Sequence, residues 1–297
     1  MPRPKNARIA ISPQTNWAMK FWLFASLALS VGCVSSAFRV AVAPALVGSR
    51  RSRSICLRVS YIDSNAAWER ENNMNENLGK EVLLYRDDDL LVYSKPHNVQ
   101  TAPGYSETES LTCRIAAEYN LTAVARDQLV VHRLDYATSG IVVFARNTAA
   151  LSDLHSQFRN RKTFKRYTAL VHGTFPSSLE GEIDLPLGKD WQNKPLQLVD
   201  AEHGKPSRTQ WRVVSQCPKR GAALVDLRPL TGRTHQLRVH MASIGHPILG
   251  DFFYAGQEAY LVARRLCLHA AELRLVHPRT KEPMRFLDPC PFSIDDF

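Results

Sequence analysis

The sequence predicts an α/β protein of the α+β type, with a mixed, largely antiparallel central sheet and a few flanking helices. Short apolar runs typical of strands outnumber the segments with helical spacing. The helical segments occur at irregular intervals, which argues against a doubly wound parallel sheet. With 44% hydrophobic and 22% charged residues, the composition is that of a globular protein that can form a core.

The net charge of +10 lies mostly in the first sixty residues. That segment contains nine Lys or Arg residues and no Asp or Glu, which leaves 29 basic and 28 acidic residues in the rest of the chain. Binding of an anionic polymer by the body would therefore need a local basic face, because the bulk charge is close to neutral.

Residues 1–60 have the pattern of a targeting sequence. Phe21–Gly32 is an apolar run of signal-peptide length, shorter than a membrane span, and small residues precede Phe38. From Phe38 to Ser60 the chain is rich in Arg and Ser, as in transit peptides. The arrangement resembles the bipartite presequences of algal plastids, so we expect delivery to a plastid. A mitochondrial presequence or a membrane anchor is the alternative.

The body begins after a polar linker at residues 61–80. Glu81–Lys95 contains two apolar runs around an acidic turn, which predicts a β-hairpin. Leu111–Tyr119 has helical spacing. Val130–His132 and Gly140–Ala145 read as two strands, separated by a polar loop.

The second half continues with alternating elements. Thr148–Asn160 is predicted to be an amphipathic helix and Phe164–Val171 a strand. Thr234–Ile244 fits either a strand or a helix, for which Thr234 would be the N-cap. The remaining predicted strands are Thr209–Val214, Ala223–Leu227, and the closing hairpin of Leu268–Val276 with Met284–Leu287.

Cysteine and glycine patterns exclude several classes of protein. The six cysteines are far apart and form no CxxC pair, so we expect free or buried thiols in place of a disulfide framework or zinc ribbon. The sequence also lacks the glycine fingerprint of dinucleotide-binding folds and the phosphate-binding P-loop.

A candidate catalytic carboxylate lies in the loop between the strands at 130–132 and 140–145. Asp135 belongs to the run His132-Arg133-Leu134-Asp135, which Thr138-Ser139-Gly140 follows. Loops at strand ends are where a rigid scaffold presents reactive groups. The alternative is that Asp135 only caps the turn.

Two further segments concentrate basic and aromatic side chains. Arg238 lies in the basic run Thr231–His240. The non-functional interpretation of this run is a solvent-exposed basic face. His235 and His240 would lie on different faces of a helix without a partnering acid, so we expect no metal site. Lys165-Arg166-Tyr167 places an aromatic ring beside two cations, as nucleic-acid binding favours, although a strand tyrosine is more often core.

Together these segments resemble the motifs of the RluA-type pseudouridine synthases. The matching segments, in the family's order, are Lys95-Pro96, His132–Asp135 with Thr138–Gly140, Lys165–Tyr167, Pro229–Met241, Gly245–Asp251 and Leu268–Ala270. The resemblance runs from about Glu81 to Pro291 and is specific because the motifs keep both their composition and their order.

This resemblance implies a mixed sheet with a central RNA-binding cleft, isomerisation of uridine to pseudouridine, and no cofactor. It makes Asp135 the catalytic carboxylate and assigns Arg133 to filling the space that the flipped base leaves. It also implies that Arg238 pairs with Asp135. Tyr167 would stack on the extruded uracil and help to remove the C5 proton.

The resemblance also sets expectations for domains and partners. We expect a presequence at 1–60, a linker at 61–80 and a catalytic domain at 81–297, with no room for an N-terminal S4 RNA-binding domain. The expected partner is ribosomal or transfer RNA, bound by a monomer that has no stable membrane association after processing.

Two other functions remain open from the sequence alone. One is a non-catalytic RNA-binding protein on the same fold, which would not require Asp135. The other is a carboxylate-dependent nucleoside hydrolase, which would release free uracil where a synthase releases nothing.

Overall fold

A computed structural model of the protein describes residues 80–104, 109–120 and 129–296. The predicted presequence and all of the predicted linker except Lys80 lie outside these ranges, so both remain predictions. Among the helices of the described ranges, none has the length and apolar character needed to cross a membrane.

Eleven strands are present in the described part of the chain. They are β1 Val82–Arg86, β2 Leu90–Lys95, β3 Ser139–Ala145, β4 Phe164–His172, β5 Glu180–Asp184, β6 Leu187–Lys189, β7 Gln197–Val199, β8 Arg208–Cys217, β9 Ala222–Pro229, β10 Leu268–Val276 and β11 Pro283–Leu287. Nine of them form one sheet in the order β1-β2-β3-β10-β4-β9-β8-β5, with β11 paired to β10, while β6 and β7 form a separate hairpin.

The large sheet is antiparallel at every strand pair except one. β3 and β10 run parallel, through His269 opposite Ser139 and Ala270 opposite Gly140. The other neighbours, including the two predicted hairpins β1–β2 and β10–β11, are antiparallel. The prediction of a mixed, largely antiparallel sheet is therefore confirmed.

Four helices accompany the sheet in the described ranges: α1 Leu111–Glu118, α2 Thr148–Arg159, α3 Gln236–Ser243 and α4 Gln257–Leu261. The first two begin at polar N-caps. The Ser110 hydroxyl accepts a hydrogen bond from the Cys113 amide, and the Asn147 side-chain oxygen Oδ1 accepts one from the Ala150 amide. Each cap satisfies a backbone donor that the first helical turn leaves unpaired.

Two local predictions were wrong. Val130–His132 is not a strand, because Val130 makes only an isolated bridge to Phe144. Thr234 is not the N-cap of α3; that position belongs to His235, which has a left-handed backbone with φ of 53° and no side-chain cap. The Gln236 side chain instead holds the loop before the helix, since its oxygen accepts the Arg233 amide at 3.0 Å.

β3 is the central strand of two hydrophobic layers. Ile141 and Val143 pack with Leu154 of α2, whereas Val142 and Phe144 pack in the layer that contains Leu111 and Ile115 of α1, the two layers being distinct clusters. Successive side chains of a strand point to opposite faces, so an unbroken apolar run is what a strand buried on both faces needs. Burial on both faces fixes the start of β3, and with it the loop that carries Asp135.

Candidate active site

The loop that carries Asp135 joins β3 at a glycine whose position leaves no room for a side chain. Gly140 has a φ of +113°, and a Cβ atom there would lie 2.4 Å from the backbone oxygen of Ala270. The missing side chain thus allows β3 to approach β10 closely where the two strands pair in parallel. This close approach explains why the sequence motif has a glycine at position 140.

Three residues of neighbouring segments, Thr101, Lys95 and Phe158, hold the loop. The Thr101 hydroxyl donates to the Leu134 carbonyl at 2.9 Å and accepts from the Leu134 amide at 3.1 Å. The Lys95 ammonium donates to the Tyr136 carbonyl at 3.2 Å. His132 stacks on the Phe158 ring of α2, with 4.6 Å between ring centroids. The backbone on both sides of Asp135 is thereby fixed before any substrate binds.

Asp135 and Arg238 meet at this loop, as expected from the family resemblance. Their closest side-chain atoms, Arg238 Nη1 and Asp135 Oδ2, are 3.9 Å apart. The Asp135 side chain is 28% exposed, whereas that of Arg238 is 5% exposed. The carboxylate is therefore reachable from solvent, and a buried cation stands behind it.

The principal partner of Arg238 is a different carboxylate. Its Nε donates to Asp251 Oδ2 at 2.8 Å and its Nη2 to Asp251 Oδ1 at 2.6 Å, and the Asp251 side chain is fully buried. The Arg238 guanidinium also lies over the rings of Phe253 and Tyr254, 5.2 and 5.1 Å from their centroids. Burial alone would lower the pKa of Arg238, but the Asp251 hydrogen bonds outweigh it and raise the pKa.

Asp251 itself is held by the chain that follows it. Its Oδ1 accepts from the backbone amides of Phe253 and Tyr254 at 2.9 and 3.2 Å. Such a bidentate, buried pair fixes the plane of the guanidinium. Arg238 therefore reaches Asp135 from a position that Asp251 determines.

Burial sets the protonation of two further groups near Asp135. The fully buried Lys95 donates to the carbonyls of Pro96 and Val99, and burial lowers the pKa of its ammonium to about 7, against the opposing attraction of Asp135. Burial also lowers the pKa of His235, again with Asp135 opposing. Both groups can thus shed a proton more readily than their exposed counterparts.

Tyr167 lies in the middle of β4, opposite Ala270 on one side and Leu227 on the other. Burial raises the pKa of its phenol well above the ordinary value, and the charge of Asp135 raises it further. The phenol is therefore protonated at neutral pH, and it lies near enough to Asp135 to be affected by the carboxylate charge. Arg133, by contrast, is exposed on the Asp135 loop.

His235 and His240 do not come together as a metal pair. His235 Nδ1 lies 2.7 Å from the Tyr254 hydroxyl, whereas the ring of His240 lies between the Thr209 hydroxyl and the Leu185 carbonyl, at 2.9 and 3.0 Å. Both ring nitrogens of His240 are thus engaged within the fold.

The described residues do bring one group of possible metal ligands together, at the β1–β2 turn. Atoms of Asp87, Asp89 and His277 lie within 4.8 Å of one another. The backbone amides of Arg279 and Thr280 donate to His277 Nδ1, so the proton of the ring is on Nε2, which donates to Asp87 at 2.9 Å. Arg279 Nε lies 2.7 Å from Asp89. These internal partners account for the cluster, and we assign no metal to it.

Sequence reasoning did not find the roles of Lys95, Asp251 and Tyr254. Lys95 and Asp251 fall within segments that the family resemblance covers, but nothing in their spacing indicates what they contact. Tyr254 follows the Gly245–Asp251 segment and lies outside the resemblance motifs. An apolar run that ends in a lone lysine, as β2 does, is the one local signal that could have identified a buried cation.

Comparison with known proteins finds relatives over most of this sequence. The RNA pseudouridylate synthase family matches residues 89–243, a range that includes Asp135, Tyr167 and Arg238. The dual-specificity RNA pseudouridine synthase RluA of Escherichia coli is 46% identical over 213 residues, which are 71% of this chain and 94% of that protein. The RluA protein of Vibrio parahaemolyticus is 44% identical over 215 residues, 71% of this chain and 83% of its own length.

Two solved human structures share the fold. Human RNA pseudouridylate synthase domain containing 1 superposes with a TM-score of 0.61 at 28% identity, covering 73% of this chain and 86% of that one. Human RNA pseudouridylate synthase domain containing 4 gives a TM-score of 0.56 at 25% identity, covering 75% and 94%.

Proposed function

Because the chain belongs to the RluA-type RNA pseudouridine synthases, we propose that it isomerises uridines of ribosomal or transfer RNA with Asp135 as the catalytic carboxylate. The observation that carries the assignment is the partly exposed Asp135 carboxylate, held on a fixed loop 3.9 Å from the buried Arg238 guanidinium. A protein that only bound RNA would not need this arrangement.

The reaction breaks the bond between C1′ and N1 of the uridine and forms a bond between C1′ and C5. The proton on C5 is lost and N1 gains one, so no oxidant, reductant or metal enters the balance. Asp135 either attacks as a nucleophile or stabilises the positive charge that develops on the ribose. Both roles require that the Asp135 carboxylate is oriented, and Arg238 orients it.

The target base has to leave its stack before the carboxylate can reach it, which costs a few kcal/mol. Arg133 is exposed two residues before Asp135, where its side chain can fill the vacated space in the RNA. Tyr167 lies on β4, near enough to Asp135 for the carboxylate charge to affect its phenol, and we assign it the stacking contact with the extruded uracil and help in removing the C5 proton.

The test replaces Asp135 by Asn, which keeps the shape of the side chain and removes the charge. Asp135→Asn should abolish tritium release from RNA labelled at C5 of uridine while leaving the fold intact. Asp153→Asn is the matched control, because Asp153 is also a partly exposed carboxylate, and its partner is Lys281 and not Arg238. Activity of Asp135→Asn within about tenfold of the wild type would overturn the assignment.

The roles of Arg133 and Arg238 can be separated by the same assay. Arg133→Ala should impair flipping, so a substrate whose uridine is already unstacked should restore much of its activity. Arg238→Ala should lower turnover on both substrates, because the group that it orients acts after flipping. Rescue of Arg238→Ala alone would reverse the two assignments.

The choice of RNA is the finer part of the proposal. The E. coli relative is named a dual-specificity RNA pseudouridine synthase, and the motif around Arg238 resembles those of members that modify large-subunit ribosomal RNA and a uridine of the tRNA anticodon loop. Mapping pseudouridines with carbodiimide in total RNA from a knockout, organelle RNA included, would identify the targets. Unchanged maps for both RNA classes would contradict the proposal.

The proposed place of action is the plastid, where ribosomes and transfer RNAs supply the substrate. It rests on the sequence of residues 1–60: the apolar run Phe21–Gly32, the small residues before Phe38, and the acid-free stretch that follows. Fusion of residues 1–60 to a fluorescent protein in an alga with secondary plastids should give a plastid signal, and Phe38→Ala should prevent import. A mitochondrial signal, or secretion, would refute the location without affecting the enzymatic assignment.

We also propose that the enzyme acts as a monomer that has no stable membrane association after processing. Light scattering coupled to size-exclusion chromatography of residues 61–297 should give the mass of one chain.

A further inference from the structure

The hairpin of β6 and β7 exposes a tryptophan at its turn. The Trp191 side chain is 70% exposed, more than any other large hydrophobic side chain of the described residues. Tryptophan is normally the residue that contributes most apolar area to a core or an interface. A ring left in solvent to this extent therefore points to a surface that a ligand covers.

The turn that presents Trp191 is rigid. The Asp190 carboxylate accepts hydrogen bonds from the backbone amides of Gln192 and Asn193, both at 3.0 Å, and from the Asn193 side chain at 2.9 Å. The backbone amide of Asp190 in turn donates to the Leu196 carbonyl at 3.0 Å. A ring held by such a turn loses little conformational entropy on binding, which suits a recognition element.

Two ammonium groups lie over the ring. The ammonium groups of Lys189 and Lys194 lie 5.3 and 5.4 Å from its centroid, and both side chains are exposed. The nearest carboxylate in sequence, Asp190, is occupied by the amides of the turn. An aromatic ring with two lysines over it matches a nucleotide, because a base can displace an ammonium group from the ring and that group can then pair with a phosphate. A protein partner would have to place a carboxylate at each lysine, whereas every nucleotide of an RNA carries a phosphate.

The turn end of the hairpin contacts the candidate active site, because Gln197 begins β7 and pairs with Lys189. The backbone amide of Gln197 in β7 donates to the Tyr254 hydroxyl at 2.9 Å, and that hydroxyl lies 2.7 Å from His235. The Tyr254 ring in turn lies beneath the Arg238 guanidinium. The turn that carries Trp191 is therefore anchored directly beside the residues that orient the candidate catalytic carboxylate.

We propose that Trp191 stacks on an unpaired base of the substrate RNA, flanking the target uridine, while Lys189 and Lys194 contact the adjacent phosphates. The inference rests on the proposed function, because it takes the bound RNA to be the substrate. Stacking needs no particular base, so this contact positions the RNA strand and leaves sequence choice to other residues.

The test measures binding and turnover separately. The probes are a synthetic tRNA anticodon stem-loop and a single-stranded oligouridylate, the second of which requires no knowledge of the natural substrate. Trp191→Ala should raise the Kd of both by about tenfold, within the range of single base–aromatic stacks, and Trp191→Phe should recover part of the loss. Leu179→Ala is the control, since Leu179 is 55% exposed beside β5 and should leave the Kd unchanged.

An abasic scan of the stem-loop identifies the stacked nucleotide. Removing that base should weaken binding of the wild type but not that of Trp191→Ala, so the two changes together should cost no more than either alone. The double variant Lys189→Ala, Lys194→Ala should bind RNA with a weaker salt dependence. The slope of the logarithm of the binding constant against the logarithm of the salt concentration should become shallower by about 0.7 for each phosphate that the variant no longer neutralises.

The outcomes separate this inference from the proposed function. An unchanged Kd for Trp191→Ala, in an enzyme that still forms pseudouridine, would overturn the stacking role alone. The stacking role would also be overturned if the loss of binding from Trp191→Ala added to the loss from every abasic position. The ring would then be assigned to a contact with a protein partner. If no RNA were converted while Trp191→Ala still weakened oligouridylate binding, the proposed function would fail and the RNA contact would stand.

Discussion

Replacing Asp251 by Asn tests the central feature of the site, the buried pair that orients Arg238. Both partners are almost completely buried, with exposed side-chain fractions of 5% for Arg238 and 0% for Asp251. Breaking a buried ion pair from one side leaves an uncompensated charge and costs about 3–5 kcal/mol. A domain of this kind is stable by only about 5–15 kcal/mol, so the loss should be large and easily measured.

A second substitution beside the same arginine supplies the comparison. Asp135→Asn removes the other carboxylate near Arg238, but that side chain is 28% exposed and its closest approach to the guanidinium is 3.9 Å. Partly exposed pairs of this length contribute about 0–1 kcal/mol. The two isosteric Asp→Asn changes should therefore differ by at least about 2 kcal/mol.

The assay is urea denaturation followed by circular dichroism, with the free energy of unfolding taken by linear extrapolation. Turnover measured in parallel should fall for Asp251→Asn as well, because Arg238 is then no longer oriented toward Asp135. Lys281→Ala, which breaks an exposed pair with Asp153, is the control and should cost less than about 1 kcal/mol. Equal destabilisation of the Asp251 and Asp135 variants would refute the view that Asp251 is the principal partner.

Three further predictions follow from single residues and from the chemistry of the site. Gly140→Ala should destabilise the protein by about 3 kcal/mol or more, because its φ of +113° and the Ala270 oxygen both exclude a Cβ; a midpoint of urea unfolding close to that of the wild type would contradict this. Burial raises the pKa of Glu272, but three arginines outweigh this effect and lower the pKa from 4.5 to about 2. The ionised Glu272 therefore stabilises the folded protein above pH 4.5, and this contribution is lost as the pH falls toward 2. Glu272→Gln should remove that part of the acid dependence of unfolding, and an unchanged acid profile would count against it. EDTA should leave pseudouridine formation unaffected; inhibition that zinc reverses would restore a metal to the site.

Elements with a complete local pattern were predicted correctly. The hairpin at β1 and β2 has two apolar runs around an acidic turn, and α2 has both an asparagine N-cap and helical spacing. Their sequence determines their structure because the partner of each residue lies only a few positions away. The apolar run of β3 also predicted a strand, although the burial of this strand on both faces depends on α1 and α2.

Elements whose partners are distant were missed or misread. Residues 130–132 have the composition of a strand, yet Val130 forms only a bridge because the loop to Asp135 turns the chain away from the sheet. The short β6 and β7 strands, three residues each, have too few positions to show a periodicity. The start of α3 was misplaced because His235 adopts a left-handed backbone that no local preference predicts.

The sequence by itself determined the family, the mixed sheet and the candidate site residues, because the family's motifs are short stretches that keep their composition and order. Only the tertiary structure decided how those residues interact. It showed that Arg238 is held by Asp251, that Lys95 is buried behind the Asp135 loop, and that Gly140 faces the Ala270 backbone. Each of these facts depends on segments far apart in the chain, whose distances and burial are set by how the strands pair.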